Sequence, residues 1–247
     1  MYFNDVHIIY YIAIAIIGAI TGKITNWANY RLEENKKVIS LDFFRKKYKE
    51  NYLLILANII LYISLLNKFG IQSTFIANLE LIKYLILTPM LLSVFVIDYK
   101  LQIIPNRLTL TIFEVGIATA FLYGISNIAI TINMLLGMIS GILIFLIITA
   151  ISKFILGQHS IGLGDLKLMG AIGLFFGLTN IVVISIVSFL IAAIVSIILL
   201  ITKRKKINEH LSFGPFIVLA SFISILIPYG TIISVLVKIF TLGLYKQ

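Results

Sequence analysis

The chain has 247 residues, of which 60% are hydrophobic and only 12% charged, and its mean hydropathy is +1.08. Soluble domains carry about a quarter charged residues, so this composition excludes a water-soluble globular protein and predicts an all-α, polytopic integral membrane protein. The net charge of +10 comes from 20 Lys and Arg against 10 Asp and Glu, and the absence of cysteine excludes disulfides and any Cys-ligated zinc or iron–sulfur site.

A hydrocarbon core of about 30 Å takes roughly 20 apolar residues per helix, and about eight transmembrane helices fit the chain. The first covers 6–22, preceded only by Asn4, Asp5 and His7. Without the basic segment of a signal peptide, it is expected to remain as a helix of the mature protein. A basic loop follows, in which Glu33, Glu34, Asp42 and Glu50 are expected as solvated charges. Spans 52–67 and 79–97 come next, with Glu80 near the outer end of the latter and Asp98 closing it. Pro105 ends the short loop after Asp98, and its missing N–H suits the first turn of the span 108–124. Glu114 lies inside that span as either a polar packing residue or a functional one.

After the span 129–151, a polar loop leads into "GLGDLKLMG" at 162–170. The tract 166–202 is too long for one crossing, and Gly177, Thr179 and Asn180 supply a turn, which gives spans 166–178 and 180–202. The last span is 213–229. Beyond Pro228-Tyr229-Gly230 the apolar tail 231–247 carries Lys238 and is expected to be interfacial or a partial span.

With the amino terminus outside, the cytoplasmic segments hold Lys23, Arg31, Lys36, Lys37, the run around Arg45–Lys49, Lys100, Arg107, Lys153, Lys167 and the cluster 203–206. The other side keeps only Lys68, Lys83, Lys238 and Lys246. This asymmetry orients the protein and accounts for its positive charge without nucleic acid, for which no recognition module is present. His7, His159 and His210 lie far apart and have no metal-ligand spacing, so each is expected as a polar loop or interfacial residue.

Two acidic residues stand apart from the loops. Asp98 ends one span and Asp165 begins another, both at the predicted cytoplasmic edge. An ionisable group at such a depth is a functional candidate, although each Asp has an alternative reading as a helix cap. Gly162 and Gly164 flank Leu163 and permit close approach of another chain before Asp165. Gly170, Ala171, Gly173 and Gly177 then form a small-residue face for a packed helix. Such a face is expected to draw the helix of Asp165 against that of Asp98. Two carboxylates brought within a few Å share one proton, so that one activates water while the other polarises a peptide carbonyl. No Ser–His or Cys–His pair, HExxH or P-loop offers a competing chemistry.

Asp98 followed by "IIPNRLTL" (103–110), then "GLGDLKLMGAIGLFFG" (162–177) and "LSFGPFIVLASF" (211–222), resembles the type IV prepilin peptidases, membrane aspartic proteases of the GxGD class. "GKITNWANYRL" (22–32) adds the family's early pattern through Gly22, Asn26, Tyr30, Arg31 and Leu32. The resemblance implies an endopeptidase that removes a short basic leader from prepilins or pseudopilins, cutting after glycine at the cytoplasmic face. It implies Asp98 and Asp165 as the catalytic pair, Gly162 and Gly164 as shaping the site, Lys167 beside it, and Pro105-Asn106 fixing the loop. It divides the chain into an N-terminal helix and basic loop, 1–51, and a peptidase bundle, 52–247.

Many members bind zinc through four cysteines in the first cytoplasmic loop and methylate the new amino terminus with S-adenosylmethionine. Here no zinc site of that kind exists, and S-adenosylmethionine enters only if methylation is retained. Lys23, Ile24 and Glu33 stand where Ser, Phe and Pro are common, and Ile161 where Met is frequent. The expected partners are prepilin substrates and the lipid bilayer. Two rival readings carry less: a presenilin-like protease lacks its Pro-Ala-Leu motif here, and a cation- or proton-coupled transporter lacks the internal repeat such proteins show.

Overall fold

The computed structural model describes residues 2–3, 6–34, 36, 50–156, 162–202 and 211–241. His159, His210, Asp5, Asp42, Ile161 and the basic cluster 203–206 lie outside the described residues. The chain forms two compact units, Met1–Leu108 and Thr109–Gln247.

In the first unit a hairpin of two short antiparallel strands, β1 (Tyr2–Phe3) and β2 (Val6–His7), leads into helix α1 (Ile8–Glu33). The His7 ring caps α1 by accepting the Ile9 N–H at 3.3 Å. Where a loop was expected after 22, α1 runs on to Glu33. The physical reason is that the polar residues of this stretch are packed rather than solvated: Asn26, Asn29 and Arg31 are all buried, and the Arg31 guanidinium lies 5.7 Å from the centroid of the Trp27 ring.

Helix α2 (Tyr52–Phe69) starts at Asn51 and α3 (Phe75–Leu101) at Thr74, each of whose side chains accepts an N–H of the first turn. The backbones of α1 and α2 approach closely because Gly18 and Gly22 present no side chain; a Cβ there would stand 3.1 Å and 3.0 Å from the Cα atoms of Ile59 and Ile55. Asn58 donates across the contact to the Gly18 carbonyl at 2.8 Å and to Thr21 Oγ1 at 2.7 Å. Pro89, inside α3, has no N–H to give the carbonyl four residues back. That carbonyl, Leu85 O, instead accepts the Tyr62 hydroxyl of α2 at 2.7 Å, which satisfies a backbone group that lipid cannot. Lys83, which the charge asymmetry places toward the non-cytoplasmic side, is buried on α3 with Nζ 4.4 Å from the Tyr84 ring centroid.

The second unit takes in most of α4 (Asn106–Ser126) together with α5 (Ile128–Leu156), α6 (Leu163–Ile201), α7 (Gly214–Leu226) and α8 (Tyr229–Phe240). Among the described residues six helices, α1 to α6, are long and apolar enough to cross a membrane, so the chain is an all-α, multi-pass membrane protein. The predicted turn in 166–202 is present. Gly177 has φ 71° and ψ 178°, a break inside α6 that only glycine adopts without strain. Asn133 of α5 caps the break by accepting the Leu178 N–H at 3.1 Å.

The small-residue face of α6 packs on α5. Gly137 and Gly173 lie backbone to backbone, with no room for a Cβ on either, and a Cβ on Gly170 would press on Ile142. The partner within the second unit is α5, because α5 carries glycines in matching register.

"SFGPF" acquires a role here. Phe213 stands at the N-cap of α7 and Pro215 in its first turn, and the Phe213 ring centroid is 5.7 Å from Phe145 of α5 and 4.8 Å from Phe189 of α6. The motif therefore pins the start of α7 to both helices. Helix α8 buries Ile232 and Leu236 and exposes Val235, Ile239 and Phe240. At about 1.5 Å per residue its 12 residues are too short to span a bilayer on their own.

Candidate active site

Asp98 occupies the last turn of α3 and is only 3% exposed. The helix stops just beyond it because Gln102 turns left-handed, with φ 55° and ψ 33°, and its N–H returns to the Asp98 carbonyl at 2.9 Å. The chain then runs to Pro105, whose carbonyl accepts the Leu108 N–H at 3.0 Å. Helix α4 begins at Asn106, earlier than the predicted 108, so Pro105 precedes the first turn instead of lying in it. Asn106 is exposed there.

In the second unit Gly162 is the N-cap of α6, with its carbonyl accepting the N–H of Asp165 at 3.1 Å. Asp165 lies in the first turn and is 9% exposed, while Leu163 is 75% exposed and Leu168 fully buried. Its carboxylate folds back toward the cap: a Cβ on Gly162 would sit 3.4 Å from Asp165 Oδ2, in ordinary contact. Gly162 and Lys167 are exposed and Gly164 half-buried. Thus Asp98, Pro105 and Asn106 are placed in the first unit, and Gly162, Gly164, Asp165 and Lys167 in the second. Each aspartate is a buried carboxylate beside a helix terminus, where backbone groups outside the helix ladder are available for hydrogen bonding. Glu114 is exposed on α4. Among the described residues no group of three or more His, Asp or Glu side chains is gathered as a metal site would require.

The first unit also contains a half-open cavity of about 440 Å³. Asn26, Asn29 and Glu33 of α1, Glu50 and Asn51 before α2, and Val96 and Lys100 of α3 line it. Glu33 and Lys100 form an ion pair at 2.9 Å across its edge. Asn29 escaped the sequence reading, although it lies in the same stretch as Asn26, Tyr30 and Arg31. A carboxamide inside an apolar helix was the available signal.

A multi-pass helical membrane protein with two buried aspartates at helix termini is the class that the fold and these residues define. The model of the type IV leader peptidase family matches residues 85–201, a segment that holds Asp98, Asp165 and every other proposed site residue. It is 26% identical over 142 residues to the prepilin leader peptidase/N-methyltransferase of Aeromonas hydrophila, covering 58% of this chain and 48% of that protein. The protein of the same name from Neisseria gonorrhoeae is 29% identical over 139 residues, covering 56% and 46%, and that from Pectobacterium carotovorum subsp. carotovorum 30% over 137 residues, covering 54% and 47%. The matched segments span about half the length of these relatives. No solved structure matches the chain.

Proposed function

We propose that the protein is a membrane aspartic endopeptidase that removes the basic leader of type IV prepilins or pseudopilins at the cytoplasmic face, with Asp98 and Asp165 as its catalytic pair. The observation that carries this reading is the family match over 85–201, which contains both aspartates, each buried at a helix terminus. Such a pair holds one proton between two carboxylates. The ionised member takes a proton from a water molecule as its oxygen attacks the carbonyl of the scissile bond. The protonated member donates to the carbonyl oxygen, and proton return to the leaving amine breaks the C–N bond. Gly162 leaves the approach to Asp165 open, and Pro105-Asn106 sets the path of the chain after Asp98. A cation- or proton-coupled transporter finds no support in the matched family. The deciding experiment mixes detergent-solubilised protein with a prepilin-like substrate and follows loss of the leader by mobility shift; an intact substrate removes the peptidase reading.

The basic loops are expected to face the cytoplasm. The chain has no natural cysteine, so Lys47→Cys and Lys205→Cys are expected to resist an impermeant thiol reagent applied to intact cells and to label once the membrane is opened. Labelling from outside reverses the topology.

Cleavage is expected to be unchanged by zinc chelators, since the first loop has no cysteine to hold the metal. Loss of cleavage on chelation, restored by added zinc, overturns this. Mass spectrometry of the product decides methylation: an amino terminus heavier by one methyl group assigns transfer from S-adenosylmethionine to this protein without a zinc loop.

A further inference from the structure

The cavity of the first unit contains a polar group that its own fold leaves unsatisfied. Asn26 and Asn29 are three residues apart on one face of α1 and both are buried. The Asn26 carboxamide makes two hydrogen bonds to one residue's backbone: Nδ2 donates to the Asn51 carbonyl at 3.1 Å, and Oδ1 accepts the Asn51 N–H at 3.3 Å. Asn29, only 4% exposed, lines the cavity with the same group, and neither its Nδ2 nor its Oδ1 has a hydrogen-bond partner among the described residues. A buried, unpaired carboxamide costs about 1–3 kcal/mol per group left unmet, so its persistence points to an external partner. The chemistry that satisfies one donor and one acceptor side by side is the N–H and C=O of a single extended residue, which Asn51 supplies to Asn26 one turn away.

The charges around it select the kind of peptide. Glu33 is compensated by Lys100, whereas Glu50, also on the cavity wall, has no ion pair among the described residues. Taken with the reading of the protein as a leader peptidase, on which this inference rests, we propose that the cavity is a leader-binding subsite. Asn29 pairs with one backbone unit of the extended leader, and Glu50 attracts a Lys or Arg side chain next to that unit.

Helix geometry fixes which part of the leader is read. Val96 and Lys100 face the cavity, and Asp98, two residues from each, lies about 200° around α3. A chain passing from Asp98 to the cavity must cover at least the width of the helix, about 10 Å, which takes about three or four extended residues. The subsite therefore reads leader residues at least that far upstream of the cleaved bond.

The test uses full-length protein in detergent and a synthetic substrate with a basic leader of about eight residues, twice the required reach, then glycine and an apolar segment. A single backbone N-methyl group is placed at each leader position in turn. Methylation of one position about four residues upstream is expected to raise KM about tenfold for the wild type, the upper size of one lost hydrogen bond. Asn29→Leu is expected to raise KM for the unmethylated substrate by a similar factor, with the larger share of the effect in KM rather than kcat, and to be insensitive to that methyl group. Glu50→Gln is expected to raise KM for a lysine-bearing leader and not for a neutral one. The methyl scan on the wild type stands even where Asn29→Leu inserts poorly, and Asn29→Asp, which replaces the donor by a charged acceptor, serves as a second variant. Cleavage by the wild type with no methyl-sensitive position that far upstream, or an equal penalty in Asn29→Leu, removes the subsite and leaves the peptidase intact. Failure of the wild type to cleave any substrate of the series removes the peptidase reading and this inference with it.

Discussion

Asp98→Asn and Asp165→Asn are each expected to lower cleavage of a prepilin-like substrate by on the order of 10³-fold or more. Asparagine keeps the size and hydrogen-bonding capacity of the side chain but has no carboxylate to take a proton from water. The double variant is expected to be no worse than either single one, because groups that act as a unit lose their effect together. Lys167→Ala is expected to weaken cleavage far less, since Lys167 is exposed beside the buried Asp165 and takes no part in the proton transfers. Insertion and thermal stability measured alongside separate catalysis from capping. An Asp165 that only stabilised the first turn of α6 contributes about 1 kcal/mol there, so its loss shifts stability and leaves activity. Near wild-type cleavage by a stably inserted single variant removes the dyad.

What the sequence made legible follows from how physical signals are written in it. Composition and run length yield the spanning helices, because lipid imposes both on any segment that crosses it. The break at Gly177 was legible because a left-handed residue inside an apolar tract leaves a glycine behind. Asp98 and Asp165 stood out as carboxylates at the edges of apolar runs, and both are buried at helix ends. Long-range partners were not legible. The small-residue face of α6 announces a close neighbour without naming it, and only the register of Gly137 and Gly141 on α5 identifies that neighbour. The stretch after residue 22 reads as a polar loop because Asn and Arg are usually solvated. Their burial on α1 depends on Trp27 and on Asn51, which is remote in sequence. Tyr62 likewise shows nothing locally of its role beneath Pro89.

The α5–α6 crossing is expected to be the most sensitive packing position of the second unit. Gly137 and Gly173 meet backbone to backbone, so a Cβ added to either would lie within the other's main chain and cannot be relieved by a side-chain rotation. A Cβ on Gly141 would meet the carbonyl of Met169 in the same way, which makes the contact continuous for more than a turn. Glycine-lined crossings of this kind hold membrane helices together by close packing and not by a hydrophobic driving force, since lipid is as apolar as the side chains. Gly173→Val is therefore expected to destabilise the protein by about 3 kcal/mol or more, at or beyond the upper range of overpacking, because the helices must separate before the side chain fits. Asp165 stands two turns earlier on the same helix, so cleavage is expected to fall with stability. Gly230→Ala is the internal control, because nothing lies within 4 Å of the added methyl group. The measurement is the fraction of protein remaining soluble and monodisperse in detergent after heating, across a temperature series. Equal melting of Gly173→Val and Gly230→Ala proteins would show that the crossing is looser than the backbone contact between Gly137 and Gly173 implies.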